Sequence, residues 1–245
     1  MGRRPNLALH LLLFATLLAL TARAVAAIPV IPRDDPEQLL RQTTSELLAI
    51  SRAARDYAEQ DHNRYYQQVS AILDQVLDAD YLARGVMATY ASARLYRSLQ
   101  TDAEKQQFRE RVKQFSTALQ QVLIEKYADA LLAFKGEKID IENLGDKDSG
   151  GGKVSLLQTI HAENNVDYRV QYNLSRQKDG SWLINNVIVE GVNLGATYRT
   201  QFAEAVEKNK GDVDYVVNNW VKLMTPAKTA DAPPEANPGN GDHQP

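Results

Sequence analysis

Cysteine is absent from the 245-residue sequence. No disulfide framework, thiol nucleophile or thiolate metal site is therefore available. Histidine is scarce as well. His10 lies in the N-terminal segment, His243 in the last residues, and His62 and His161 stand alone. None falls at a metal-ligand spacing, so the sequence implies no metal centre. The nucleophile elbow G-x-S-x-G is missing, and no internal repeat is present. The glycine run at residues 148–153 lacks the spacing and the Ser or Thr of a phosphate loop. It reads as a flexible hairpin turn between strands. The apolar run at residues 7–20 is too short for a comfortable membrane span.

What is present begins at the N-terminus. Gly2-Arg3-Arg4 is a basic head, residues 7–20 are an apolar run, and Ala24-Val25-Ala26 is a small-residue cleavage site. This combination predicts a secretory signal peptide over residues 1–26. Its removal takes away three arginines and no acid, leaving 25 basic against 31 acidic residues and a net charge near −6. That balance argues against nucleic acid or an anionic membrane surface as a partner. The last residues, 225–245, are rich in Pro, Ala, Gly and Asn without apolar periodicity, and read as a disordered tail. Residues 27–224 remain for one folded domain.

Within it the apolar period changes from 3.6 to 2 and back. Asp35 caps a helix with Pro36 at its first position, and Leu39, Leu40, Thr43, Leu47, Ile50 and Ala54 follow at helical spacing. A second helix is predicted over residues 63–77, and a third begins near Asp80. Thr101-Asp102-Ala103-Glu104 is a capping box opening the longest helix, striped by Phe108, Val112, Phe115, Leu119, Val122 and Leu123 and ending near Lys135-Gly136. Strands then start at Ile139 and at Val154. Residues 165–176 alternate, with Tyr168, Val170, Tyr172 and Leu174 on one face. Lys178-Asp179-Gly180 turns into a strand over residues 182–189. Helices return over residues 194–208 and 213–223. The plan is α+β: helices packed on a four-stranded antiparallel sheet. A concave sheet crossed by a long helix can also enclose an apolar cavity.

Catalytic candidates are few. His161 at a strand end and Glu190 beside Gly191 are the two groups that could act as a general base. Glu190 and Arg199 also read as a structural ion pair or as the frame of a pocket mouth. Lys105, Arg109, Arg111 and Lys113 form a basic cluster that reads mainly as a solvated helix face.

The run Trp182-Leu183-Ile184-Asn185-Asn186-Val187, then Glu190-Gly191-Val192-Asn193-Leu194 and Tyr198-Arg199-x-x-Phe202, resembles the MlaC family. Asn193 stands where that pattern has Ser, and Thr197 where it has Asn. Residues 82–88 and the helix from Thr101 through Phe115, Leu119, Tyr127 and Leu131 match in order. Between Tyr90 and Thr101 a longer segment replaces the family's short link. The resemblance covers about residues 36–223. It implies a non-enzymatic, cofactor-free periplasmic phospholipid carrier that maintains outer-membrane lipid asymmetry. Its partners would be phospholipid, an inner-membrane ABC transporter complex with its lipid-binding subunit, and an outer-membrane lipoprotein–porin complex. Acyl chains would sit between helices and sheet. The expected lining is Val112, Phe115, Leu119, Val122, Leu123 and Tyr127 from the long helix. Leu156, Tyr168, Val170, Tyr172, Ile184, Val187 and Val189 would line it from the strands. Glu190, Tyr198, Arg199 and Phe202 are expected at the rim or in a structural role. Two other classes stay open: a small α+β enzyme on an apolar substrate, and a periplasmic chaperone or interaction protein without an enclosed cavity.

Overall fold

The computed structural model describes residues 28–134, 138–146, 151–161 and 167–225. The signal peptide expected over residues 1–26 and the tail expected over residues 225–245, apart from Thr225, lie outside them. So do Lys135 and Gly136, where the longest helix was expected to stop, and Asn165 and Val166, expected to open a strand. Among the described residues no helix is long and apolar enough to cross a membrane.

Side-chain caps start the helices where the sequence has them. Asp35 accepts from the Gln38 N–H at 2.7 Å and opens α1 (Pro36–Ala54). Asp61 opens α2 (His62–Val76) and Asp78 opens α3 (Ala79–Met87) in the same way. The divergent segment forms a 3-10 turn (Ala88–Ala91) and the short α4 (Ala93–Ser98), which sequence reading left unassigned. The box of Thr101 and Glu104 is complete, with bonds of 3.1 and 2.8 Å, and starts the 32-residue α5 (Asp102–Ala133). α6 (Leu194–Lys208) and α7 (Val213–Met224) close the chain with Asn193 and Asp212 as caps.

Strands β1 (Lys138–Asp146), β2 (Lys153–His161), β3 (Asp167–Arg176) and β4 (Trp182–Val189) form an antiparallel meander in sequence order. A fifth strand of two residues, β5 (Val192–Asn193), pairs with the end of β4. Sequence reading expected four strands because β5 is too short to show a period. Its turn was legible, since Glu190 and Gly191 both take positive φ (49° and 80°). Two consecutive positive φ values are what a two-residue hairpin that follows strand twist requires.

The sheet contains one irregularity that decides which residues share a face. Asn173 pairs with Asn186 but Leu174 pairs with Ile184, so Asn185 is an extra residue in β4. The bulge moves Val187 and Val189 onto the face already held by Trp182 and Ile184.

Two cores result, with a smaller third one between helices. Against the sheet, Leu39 and Leu40 of α1 and Ile72 and Val76 of α2 pack on Leu156, Leu174 and Ile184. Away from the sheet, α3, α5, α6 and α7 pack around Phe115, Phe202 and Trp220. The other side of α5, through Ile124 and Ala128, meets α1 and α2 at Ala54, Tyr65 and Val69.

Candidate functional site

The helix-facing side of the sheet forms a graded apolar surface. Cross-strand pairs lie opposite one another, so the register defines rows. The first row, Val154, Leu174 and Ile184, is closed under α1 and α2. The next row, Leu156, Tyr172 and Val187, is half open at Tyr172 and Val187. In the third, Val170 and Val189 are half-buried, while Val192 of β5 is 54% exposed. Ile160 and Tyr168 form the last row, and Tyr168 is 45% exposed. One apolar face thus runs from a closed core to solvent. Large apolar side chains left in water at the end of such a face mark a ligand or membrane contact more often than a random surface.

A polar chain crosses this face. The Tyr172 hydroxyl donates to Gln158 Oε1 at 2.9 Å, and Gln158 Nε2 donates to Thr44 Oγ1 of α1 at 2.8 Å. Gln158 is buried, and burial pushes the Tyr172 phenol well above its ordinary pKa. In the sequence Gln158 interrupts the apolar alternation of Val154, Leu156 and Ile160. A lone amide in an otherwise apolar face was the available signal.

The expected lining divides between the two main cores. Leu156, Tyr172, Ile184 and Val187 join the core under α1 and α2, and register puts Tyr168, Val170 and Val189 on the same face. Val112, Phe115, Leu119, Val122 and Leu123 instead pack with α3, α6 and α7. α1 and α2, not α5, cover the sheet.

The four motif residues are brought together only in part. Phe202 is buried, with ring centroids 4.7 Å from Phe115, 5.6 Å from Trp220 and 6.0 Å from Tyr90. Tyr198 stacks edge-on to Trp220 at 6.4 Å. The Arg199 Nε donates to the Gly85 carbonyl at 2.7 Å, fixing α6 to the last turn of α3. The Glu190 carboxylate accepts from the Arg169 N–H, and its own N–H returns a bond to the Arg169 carbonyl. No ion pair joins Glu190 to Arg199 among the described residues; each holds backbone instead. At Gly195, at the start of α6, an added Cβ would lie 2.9 Å from Asn186 Oδ1 beside the bulge, so the Asn186 amide would have to shift.

His161 does not face the apolar surface. Ile160 points inward, so His161 points outward, where Asp167 Oδ1 and Asp140 Oδ2 hold its ring nitrogens at 2.7 and 3.0 Å. These hydrogen bonds, first to Asp140 and then to Asp167, raise its pKa. Of the basic cluster, Arg111 forks onto Asp214 of α7 at 2.5 and 2.9 Å, and Arg109 bonds the Tyr96 hydroxyl. Two further concavities lie among the helices. A cleft of about 790 Å³ between α2 and α5 is mostly polar, with Asp74, Gln120 and Glu125 in its walls. A hollow of about 370 Å³ lies between α5, α6 and α7.

A family model described as MlaC protein matches residues 41–222. The chain belongs to the MlaC family. Among relatives of this MlaC-family chain is the toluene tolerance protein ttg2D of Pseudomonas putida. The two are 30% identical over 214 residues, 86% of this chain and 93% of that protein. The fold also resembles that of a phospholipid-binding protein from Ralstonia solanacearum, whose structure was solved in complex with a phospholipid. That match has a TM-score of 0.59 at 17% identity and covers 76% of this chain and 94% of the other.

Proposed function

We propose that this MlaC-family chain is a periplasmic phospholipid carrier that performs no chemistry on its cargo. The apolar face that opens from the closed core to Tyr168 and Val192 carries this reading. Membership of the family and the phospholipid bound to the Ralstonia solanacearum protein support it. Acyl chains would enter along Tyr168, Val170 and Val189, pass the Tyr172–Gln158 pair, and reach the side chains under α1 and α2. The head group would stay at the open end. Each methylene moved out of water contributes about 0.8 kcal/mol. The lipid leaves a membrane rather than water, so most of this gain is offset and the lipid remains exchangeable. The carrier would receive and deliver phospholipid between an outer-membrane lipoprotein–porin complex and an inner-membrane ABC transporter complex.

The enzyme alternative needs a base facing the apolar surface. His161 and Glu190, the two residues offered for it, both bond elsewhere. Transfer of a fluorescent phospholipid between two vesicle populations tests the carrier reading. Acceleration in proportion to protein concentration is expected, and a rate equal to spontaneous exchange would refute it.

A further inference from the structure

The closed end of the apolar face is completed by a segment that is neither helix nor strand, residues 28–33. Pro29 and Pro32 bias the residues before them, Ile28 and Ile31, toward extended backbone. The Gln75 side chain of α2 holds two backbone groups of this strap. Its Oε1 accepts from the Ile31 N–H at 3.0 Å, and its Nε2 donates to the Pro29 carbonyl at 3.1 Å. The Trp182 N–H of β4 donates to the Arg33 carbonyl at 2.7 Å. Neighbouring side chains of the strap point opposite ways: Val30 is 87% exposed and Ile31 2%. Among the described residues, Ile31 is the only buried member of the sheet-side core that lies outside a helix or strand.

Its place along the rows gives it a consequence for cargo. Trp182 pairs with Arg176, one row beyond the closed row of Val154, Leu174 and Ile184. The strap is bonded to Trp182, so it lies at the end of the face opposite to Tyr168. Alternate residues of a strand are about 6.8 Å apart, so the three steps from the Tyr168 row to the closed row span about 20 Å. One leaflet's share of a bilayer's hydrocarbon is about 15 Å. An acyl chain of that reach ends between the Tyr172 row and the closed row. A longer one meets the end of the core. There the sheet and helices are held by their own ladders, whereas the strap is held by the bonds to Gln75 and Trp182.

We propose that Ile31 is the stop that sets the longest acyl chain this protein accepts, and that Gln75 is the residue that positions it. The proposal rests on the carrier reading and adds a length limit to it. A smaller side chain at Ile31 lengthens the apolar path, and a larger one shortens it.

Uptake from vesicles that hold equal amounts of monounsaturated phosphatidylcholines, from dimyristoleoyl to dieicosenoyl, tests the proposal. Mass spectrometry of the lipid bound to folded protein reads the length distribution, a ratio that lost stability alone does not move. Ile31→Ala should enrich the longer chains, by up to about fourfold for each methylene newly admitted. Ile31→Phe should shift the distribution toward shorter chains. Val30→Ala, on the exposed side of the same strap, should match wild type. Gln75→Met unfastens the strap with Ile31 unchanged and should also admit longer chains, which separates positioning from packing. Where Ile31→Ala fails to fold, Ile31→Val should shift the ratio in the same direction by less. The same distribution in wild type, Ile31→Val and Ile31→Phe overturns the proposal and leaves the strap as packing alone. Wild-type protein that takes up none of the series removes the carrier reading and the stop with it, whereas uptake without length dependence removes the stop alone.

Discussion

Phe202→Ala separates the helical core from the apolar face of the sheet. Phe202 is 1% exposed and its ring lies against Phe115, Trp220 and Tyr90, so truncation leaves a cavity that three aromatic rings do not easily fill. Fully buried Phe→Ala changes cost about 3–5 kcal/mol. Domains of this kind have about 5–15 kcal/mol in total. For a chain of about 200 residues each kcal/mol shifts Tm by roughly 2–4 °C, so a fall of about 6–20 °C is expected. Circular dichroism melts measure it. The lipid content of whatever protein remains folded should match that of wild type, because this cluster packs α3, α5, α6 and α7 rather than the sheet. A Tm within about 2 °C of wild type would refute the packing argument. A folded variant that lost lipid selectively would refute the separation of the two cores.

Val189→Asp puts a carboxylate on the half-buried apolar row, where desolvation opposes acyl contact, and should abolish phospholipid uptake from vesicles. Ile188→Asp, on the opposite face, should retain uptake; identical behaviour of the two would show that the face is misassigned. Gly191→Ala forces a Cβ into positive φ, costs about 1–2 kcal/mol, and should lower Tm by roughly 2–8 °C, with an unchanged melt counting against the strained turn. The His161 imidazole should titrate above 6.5 by NMR, and the midpoint should fall in Asp140→Asn. Since its folded pKa is raised, its stabilisation is fully present below pH 6.5 and is lost as pH rises through the folded value. A midpoint at or below 6.5 would refute the two-carboxylate clamp.

Helix starts were legible because each carries its own local chemistry: Asp35 with Pro36, and Thr101 with Glu104. The meander was legible from period-2 alternation and from Lys178-Asp179-Gly180, where Gly180 takes φ 87°. The expected lining groups Ile184 with Val187 and Val189 although their spacing breaks strict alternation. The bulge at Asn185 is the physical reason that the grouping fits one face. The partners of α5 were not legible. Its apolar residues turn toward two sides, Phe115 and Leu119 to one core and Ile124 and Ala128 to another. Periodicity says that a stripe is buried but not what covers it. The short α4 and the two-residue β5 fall below the length at which any period is readable. The roles of Gln158 and Thr44 depend on a contact 114 residues apart, which no local pattern encodes.

Native mass spectrometry and lipid extraction of the mature chain, purified from a bacterial periplasm, test the central claim most directly. The account predicts stoichiometric phospholipid bound to the wild-type protein. Protein that carries no lipid, and takes none up from phospholipid vesicles, would contradict it.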